Sequence, residues 1–167
     1  METRKKMIGV IGSAKVHQDN YLIAENLGKI LVDEGYRVAT GGLKGVMEAV
    51  LKGAKQSLDY KSGDTVAIIP QSEVEEANEY ADIVIATGIG IARNLILVQS
   101  VFAVIAIEGS WGTLSEICFG IQKNKPIILL SQTGGWSGKL TELKSEFSRE
   151  FLTAHSLKEV QKCLKSL

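Results

Sequence analysis

Residues 103–116 read AVIAIEGSWGTLSE: five apolar residues, Glu108, then Gly109-Ser110-Trp111-Gly112-Thr113, then a helical pattern. So short an apolar run, stopped by glycine, predicts a strand buried on both faces at 103–107, with a helix expected over 113–124. A glycine turn of this kind leaves backbone N–H groups unpaired at a helix N-terminus. The positive end of the helix dipole backs them, which is how phosphate or carboxylate is held. A plain βα connection has the same outline, so the stretch gains its meaning from the rest of the chain.

Outward from it the pattern repeats. Residues 8–12 form another apolar run, followed by apolar residues at helical spacing over 21–34. A second strand at 37–40 breaks at Gly41-Gly42 before a helix at about 45–57. A third at 65–69 stops at Pro70, and the acidic stretch 73–80 suits a short exposed helix or loop. A fourth strand at 83–87 ends in Gly88-Ile89-Gly90 ahead of a helix at 92–100. Further on, a strand is expected at 126–130, residues 136–150 read ambiguously, and 151–153 suits a short edge strand. Ser156 caps a last helix to 167 in a Ser-Leu-Lys-Glu capping box. Near-continuously apolar strands alternating with helices imply right-handed crossovers between parallel neighbours and a sheet covered on both faces. The expected fold is therefore α/β: a Rossmann-like doubly wound parallel sheet, with residues 1–167 as a single nucleotide-binding domain.

At 167 residues, 45% hydrophobic and 23% charged, the chain is long enough for one well-buried core. Nineteen basic and nineteen acidic side chains cancel, and no basic stripe interleaves with aromatics. Nucleic acid is thus not an expected partner, whereas a small anion bound locally is. No apolar run approaches the roughly 20 residues of a bilayer span, and the start METRKKMIGVIG has no small-residue cleavage site. A cytoplasmic protein with no membrane partner is expected. Cys118 and Cys163 fall in apolar helical patterns and read as buried thiols. Neither they nor His17 and His155 stand at metal-ligand or catalytic spacing, so no metal is expected.

In an open parallel sheet, ligands bind at the carboxyl ends of the strands, near the point where strand order reverses. The candidates gather there: Gly12 and Ser13 after the first strand, Gly41 and Gly42 after the second, Gly88 and Gly90 after the fourth. Gly109, Ser110, Gly112 and Thr113 follow the fifth. Glycine ends many strands, yet four such loops on one rim suit a ligand that approaches the backbone closely. Neither a Gly-x-Gly-x-x-Gly fingerprint nor a Gly-x-x-x-x-Gly-Lys-Ser/Thr loop occurs, which argues against ordinary NAD and ATP binding. Arg93 opens a helix, where the dipole disfavours a cation. A bidentate contact to a ligand phosphate or carboxylate would reward it, as would an ion pair with Glu116 or Glu108. Glu116 is placed for a ribose hydroxyl or a glycosidic carbon, and is equally a carboxylate favoured at a helix start. Asn94 reads as a ligand contact or a polar helix-start residue, and Met47 as core ahead of contact. Trp111 reads as a stacking platform or a lid over the core.

The strings GGLKGVM at 41–47, GIARN at 90–94 and EGSWGTLSE at 108–116 resemble the three motifs of the Lonely Guy superfamily, whose members have often carried a lysine decarboxylase label. The Ala-Arg-Asn form and the short length resemble the branch containing the molybdenum cofactor carrier protein, and the likeness spans about residues 7–130. In the Lonely Guy enzymes, Pro-Gly-Gly-x-Gly-Thr-x-x-Glu holds the phosphate of a nucleoside 5′-monophosphate, and an Arg with the motif Glu cleaves the N-glycosidic bond. By position, the resemblance implies that Gly109, Gly112 and Thr113 hold phosphate. It makes Arg93 and Glu116 the catalytic pair of an enzyme, a carboxylate being suited to an oxocarbenium-like transition state. Three positions depart: Glu108 stands for the Pro, Ser110 for the second Gly and Asn94 for a Lys. The added negative charge and the lost positive one weigh against tight monophosphate binding and hydrolysis. Amino-acid decarboxylation needs an electron sink such as pyridoxal phosphate on a lysine, and no lysine here is distinguished in that way.

The leading expectation is a binding protein for a phosphorylated, nucleotide-like or pterin-like small molecule. Molybdenum cofactor or a nucleotide would be its ligand, with no cofactor required. A nucleoside 5′-monophosphate phosphoribohydrolase is the alternative, and a structural or interaction protein with a decayed pocket is the third. The helix at 92–100 continuing into Val101-Phe102 is apolar around much of its circumference. A homodimer or larger homo-oligomer is therefore expected, through the helices after the second and fourth strands. The resemblance implies the same, since Lonely Guy proteins pair through this region and the carrier branch forms larger assemblies.

Overall fold

The computed structural model describes residues 4–143 and 151–167. In chain order they form β1 (Met7–Gly12), α1 (Gln18–Asp33), β2 (Arg37–Thr40), α2 (Val46–Ala54), β3 (Thr65–Ile69), β4 (Ile83–Ala86) and α3 (Arg93–Ser100). There follow β5 (Ala103–Ile107), α4 (Trp111–Gln122), β6 (Ile127–Leu130), α5 (Gly135–Glu142), β7 (Leu152–Ala154) and α6 (Leu157–Lys165). The seven strands among the described residues make one sheet in the order β4-β3-β2-β1-β5-β6-β7, with every neighbouring pair parallel. The expected α/β, Rossmann-like doubly wound sheet is what the chain forms.

The alternation of side chains along β5 builds both halves of the core. Ile105 and Ile107 join Leu27, Leu31, Val50 and Val160 on the face covered by α1, α2 and α6. Val104 and Ala106 join Leu97, Val98 and Ile117 on the face of α3 and α4. Each strand residue buried from both sides contributes roughly 1.5–3 kcal/mol if it is a full-sized aliphatic. The central strands therefore hold the rim rigidly. α1 and α2 cross with their backbones nearly touching, because a Cβ at Gly28 would run into the Val50 carbonyl and one at Gly53 into that of Glu25.

Several boundaries differ from those expected, for local reasons. α1 begins at Gln18 and α2 stops at Ala54, before Ser57. The acidic stretch carries one 3-10 turn, Val74–Glu76, and another, Gly90–Ala92, leads into α3. α4 begins at Trp111, two residues early, with Ser110 as its extended N-cap residue, so Gly112 and Thr113 lie within its first turn. α5 occupies part of the ambiguous segment, and residues 144–150 of that expectation lie outside the described residues. β7 is shifted by one residue from 151–153. Ser156 Oγ does accept from Glu159 N at 3.3 Å, but the Glu159 carboxylate accepts from His155 N (2.8 Å) instead of closing a capping box on Ser156. The cysteines also differ. α4 buries Thr113, Glu116, Ile117 and Gly120, a stripe that leaves Cys118 exposed, while Cys163 is half-buried. No helix among the described residues is long and apolar enough to cross a membrane.

Candidate functional site

The chain runs outward from β1 to β4 and then returns to place β5 on the other side of β1. Strand order reverses between those two strands, and the crevice beyond their carboxyl ends is where an open α/β sheet takes its ligand. A cavity of about 250 Å³ opens there. Gly12 and Ala14 form its β1 side, Ser110, Gly112 and Thr113 its β5 side, Met47 contributes from the first turn of α2, and Pro70 from the loop after β3. Ile91, Arg93 and Asn94 enter from the start of α3, and Glu116 from the first turns of α4.

The first turn of α4 faces this space with its donors free. Its first intrahelical bond is Leu114 N to Ser110 O at 3.0 Å, so the N–H groups of Trp111, Gly112 and Thr113 precede the ladder. With the helix dipole behind them they suit an oxyanion.

Arg93 and Glu116 form a buried pair at the base, Nη1 to Oε1 at 3.2 Å, each only 6% exposed. Of the alternatives open for Arg93, the ion pair with Glu116 is therefore present. It uses one of five guanidinium donors, and Arg93 Nε is buried with no partner. Such an orphan costs about 1–3 kcal/mol. Burial lowers the guanidinium from its ordinary value while Glu116 draws it back up, and arginine stays charged in any case. Burial pushes the Glu116 carboxyl up to about 7, outweighing the opposing pull of Arg93. The pair thus changes net charge near neutrality.

The other expected residues divide. Asn94 lines the cavity but donates to Ser115 Oγ (2.8 Å) and Gly112 O (3.4 Å), tying α3 to the first turn of α4. Gly41 lies behind the site: a Cβ there would run into the Arg93 guanidinium, so glycine makes the room in which Arg93 lies. Gly42 donates its N–H to Thr40 Oγ1 at 3.0 Å. The Ser13 carbonyl accepts from Val46 N at 3.0 Å, joining the β1 loop to the start of α2. Gly88 and Gly90 donate to the carbonyls of Gln71 and Pro70, and Gly109 packs on Thr113. None of Ser13, Gly41, Gly42, Gly88, Gly90 and Gly109 lines the cavity.

Sequence reading missed Ala14, Pro70 and Ile91, and ranked Met47 as core. Met47 is both, buried and lining the cavity. Pro70 had a usable signal, since it ends β3 on the same rim as the glycines; the apolar Ala14 and Ile91 had none. Glu108 carries a backbone φ of 55°, and its carboxylate accepts from Asn20 Nδ2 at 3.0 Å. Its side chain is thus engaged by α1, away from Arg93.

Fold and site together define the class: a Rossmann-like α/β protein with a cavity at the switch point of its sheet that holds the Arg93–Glu116 pair among its lining residues. The model of the SLOG cluster4 family matches residues 5–163, and the chain belongs to that family. An uncharacterized protein of Archaeoglobus fulgidus is 42% identical over 123 residues, 74% of this chain and 78% of that protein. Among solved structures, the molybdenum cofactor binding protein from the phototrophic bacterium Rippkaea orientalis superposes with a TM-score of 0.86 at 32% identity, covering 99% of this chain and 98% of that one. The molybdenum cofactor carrier protein from Chlamydomonas reinhardtii gives a TM-score of 0.81 at 29% identity, covering 97% and 98%. The resemblance carried by the three motifs agrees with these relatives.

Proposed function

We propose that this protein binds and carries a phosphorylated, nucleotide-like or pterin-like small molecule, in the manner of a molybdenum cofactor carrier. The observation that carries the proposal is the buried Arg93, with an orphaned Nε, beside the free N–H groups at the start of α4. These residues fit a phosphate group: Arg93 supplies the charge, while Gly112, Thr113 and their neighbours supply donors. Molybdenum cofactor would be cargo, held through its phosphate. The likeness to two molybdenum cofactor proteins over nearly their whole length supports the same reading. A thermal-shift panel of nucleoside monophosphates and molybdenum cofactor precursors tests it. At least one phosphorylated ligand should raise the melting temperature of the wild type and not that of Arg93→Ala; no shift, or equal shifts in both, would overturn it.

One observation favours a second reading. Glu116, raised to about 7 by burial, is suited to move a proton or activate water in a phosphoribohydrolase. Incubation with AMP and chromatography for free adenine separates the two readings, since base release abolished in Glu116→Gln would establish the enzyme. The open cavity supports either ligand reading over a decayed pocket. We further propose a cytoplasmic homo-oligomer. α2 is already covered by α1, whereas α3 leaves Ile96 exposed. The register of β4 on β3 sets Ile83 and Ile85, 44% and 45% exposed, on the α3 face beside it. An apolar surface at a sheet edge suits a second copy.

A further inference from the structure

Trp111 is left unexplained by the phosphate cradle. It stands between two cavity-lining residues, Ser110 and Gly112, yet the residue is 74% exposed, which excludes its being a lid over the core. Trp111 is not itself part of the cavity lining, but a large aromatic held in water between two residues that are is unusual for one serving only the fold. It is also held in place. Its ring centroid lies 5.3 Å from that of Trp136, at an interplanar angle of 56°, and Lys139 Nζ sits 5.2 Å from the Trp136 ring centroid. The backbone beneath is fixed as well, because Trp136 N donates to Gly109 O (3.2 Å) and Ser137 N to Glu108 O (2.9 Å). α5 therefore pins the loop that presents Trp111, and Trp136 supports one side of its ring while the rest faces solvent.

The size of the cavity gives this exposed ring a use. At about 250 Å³ it falls below the roughly 300–1,000 Å³ of pockets that enclose a drug-sized molecule. A ligand with a phosphate at the start of α4 must leave part of itself outside the walls, and that part passes the rim where Trp111 stands. We infer that Trp111 is the platform on which the flat heterocycle of the ligand stacks, which makes it the residue that selects ring-bearing phosphates over plain ones. The inference rests on the proposed phosphate site and adds the chemistry of the ligand's other end: an aromatic ring system, read by its face. Trp136 is a positioning residue for Trp111 and touches no ligand.

The test compares ribose 5-phosphate with GMP and a neopterin phosphate by titration calorimetry on the wild type, Trp111→Ala and Trp111→Phe. The wild type should bind at least one ring-bearing phosphate about ten-fold or more tightly than ribose 5-phosphate, the preference expected of a stacked base. Trp111→Ala should lose that preference while keeping its affinity for ribose 5-phosphate, and Trp111→Phe should recover most of it. The exposed position lets all three fold, which their melting temperatures would verify. Indole emission in a Trp136→Phe background should be quenched by the ring-bearing ligand and unchanged by ribose 5-phosphate. Binding of ribose 5-phosphate with no ring preference, or a preference that survives in Trp111→Ala, overturns the role of Trp111 and leaves the phosphate site standing. Binding of none of the three ligands overturns both.

Discussion

Substituting Glu116 by Gln should abolish a pH dependence of anion binding that the wild type displays. A carboxyl titrating at about 7 is about nine-tenths protonated at pH 6 and about one-tenth at pH 8. When ionised it cancels the Arg93 charge 3.2 Å away; when protonated it leaves that charge to the ligand. A carboxylate about 6 Å from a bound anion opposes each of its charges by roughly 3 kcal/mol at an effective dielectric of 20. The anion therefore binds almost wholly to the protonated form, and its affinity follows that fraction: about ten-fold tighter at pH 6 than at pH 8. Sulfate is the probe of choice, because its own charge is constant over this range whereas that of a phosphate monoester is not. Titration calorimetry at fixed ionic strength should show the ten-fold change in the wild type and a flat profile in Glu116→Gln. Any other titrating group affects both proteins alike. An equal pH dependence in the variant, or tighter binding at pH 8, would refute the reasoning.

Stability should respond to the same group: its raised folded-state pKa favours the folded wild type at low pH and is lost as pH rises from 4.5 through 7. The stability of Glu116→Gln relative to wild type should accordingly improve by about 3 kcal/mol between pH 4.5 and pH 8, measured by denaturant unfolding. Gly41→Ala should push the Arg93 guanidinium from its place, costing about 1–3 kcal/mol and weakening sulfate at least as much as Arg93→Lys does. Burial alone would raise Asp82, but bonds from Tyr60 (2.6 Å), Lys55 (2.9 Å), Thr65 and Gly63 outweigh it and hold the carboxyl far below its ordinary range. Asp82→Asn should cost about 2–4 kcal/mol at pH 7, a deficit that shrinks as acid protonates the wild type. For assembly, light scattering should give at least twice the 18.1 kDa chain mass, and Ile83→Lys with Ile96→Lys should return it to that of one chain.

The fold was legible because parallel strands buried on both faces must be continuously apolar, and runs such as 65–69 and 103–107 match β3 and β5 residue for residue. The start of α4 was not, because Gly112 reads as a turn while its neighbours draw it into the first helical turn. Seven of the expected site residues line the cavity, chiefly those with charge or a place in the α4 turn. Gly41 shows the limit of such reading, because close approach of backbone to ligand and close approach of backbone to Arg93 leave the same mark on a sequence. Only the folded chain separates them, as at Gly41. The raised Glu116 carboxyl likewise depends on burial that no local pattern records.

The proposed site places a phosphate group between Arg93 and the first turn of α4. A crystal structure of the protein soaked with GMP would locate that phosphate. Phosphate oxygens should lie within about 3 Å of backbone N–H groups at residues 111–113 and of the Arg93 guanidinium. Phosphate density elsewhere on the surface, with this cavity filled only by water, would contradict it.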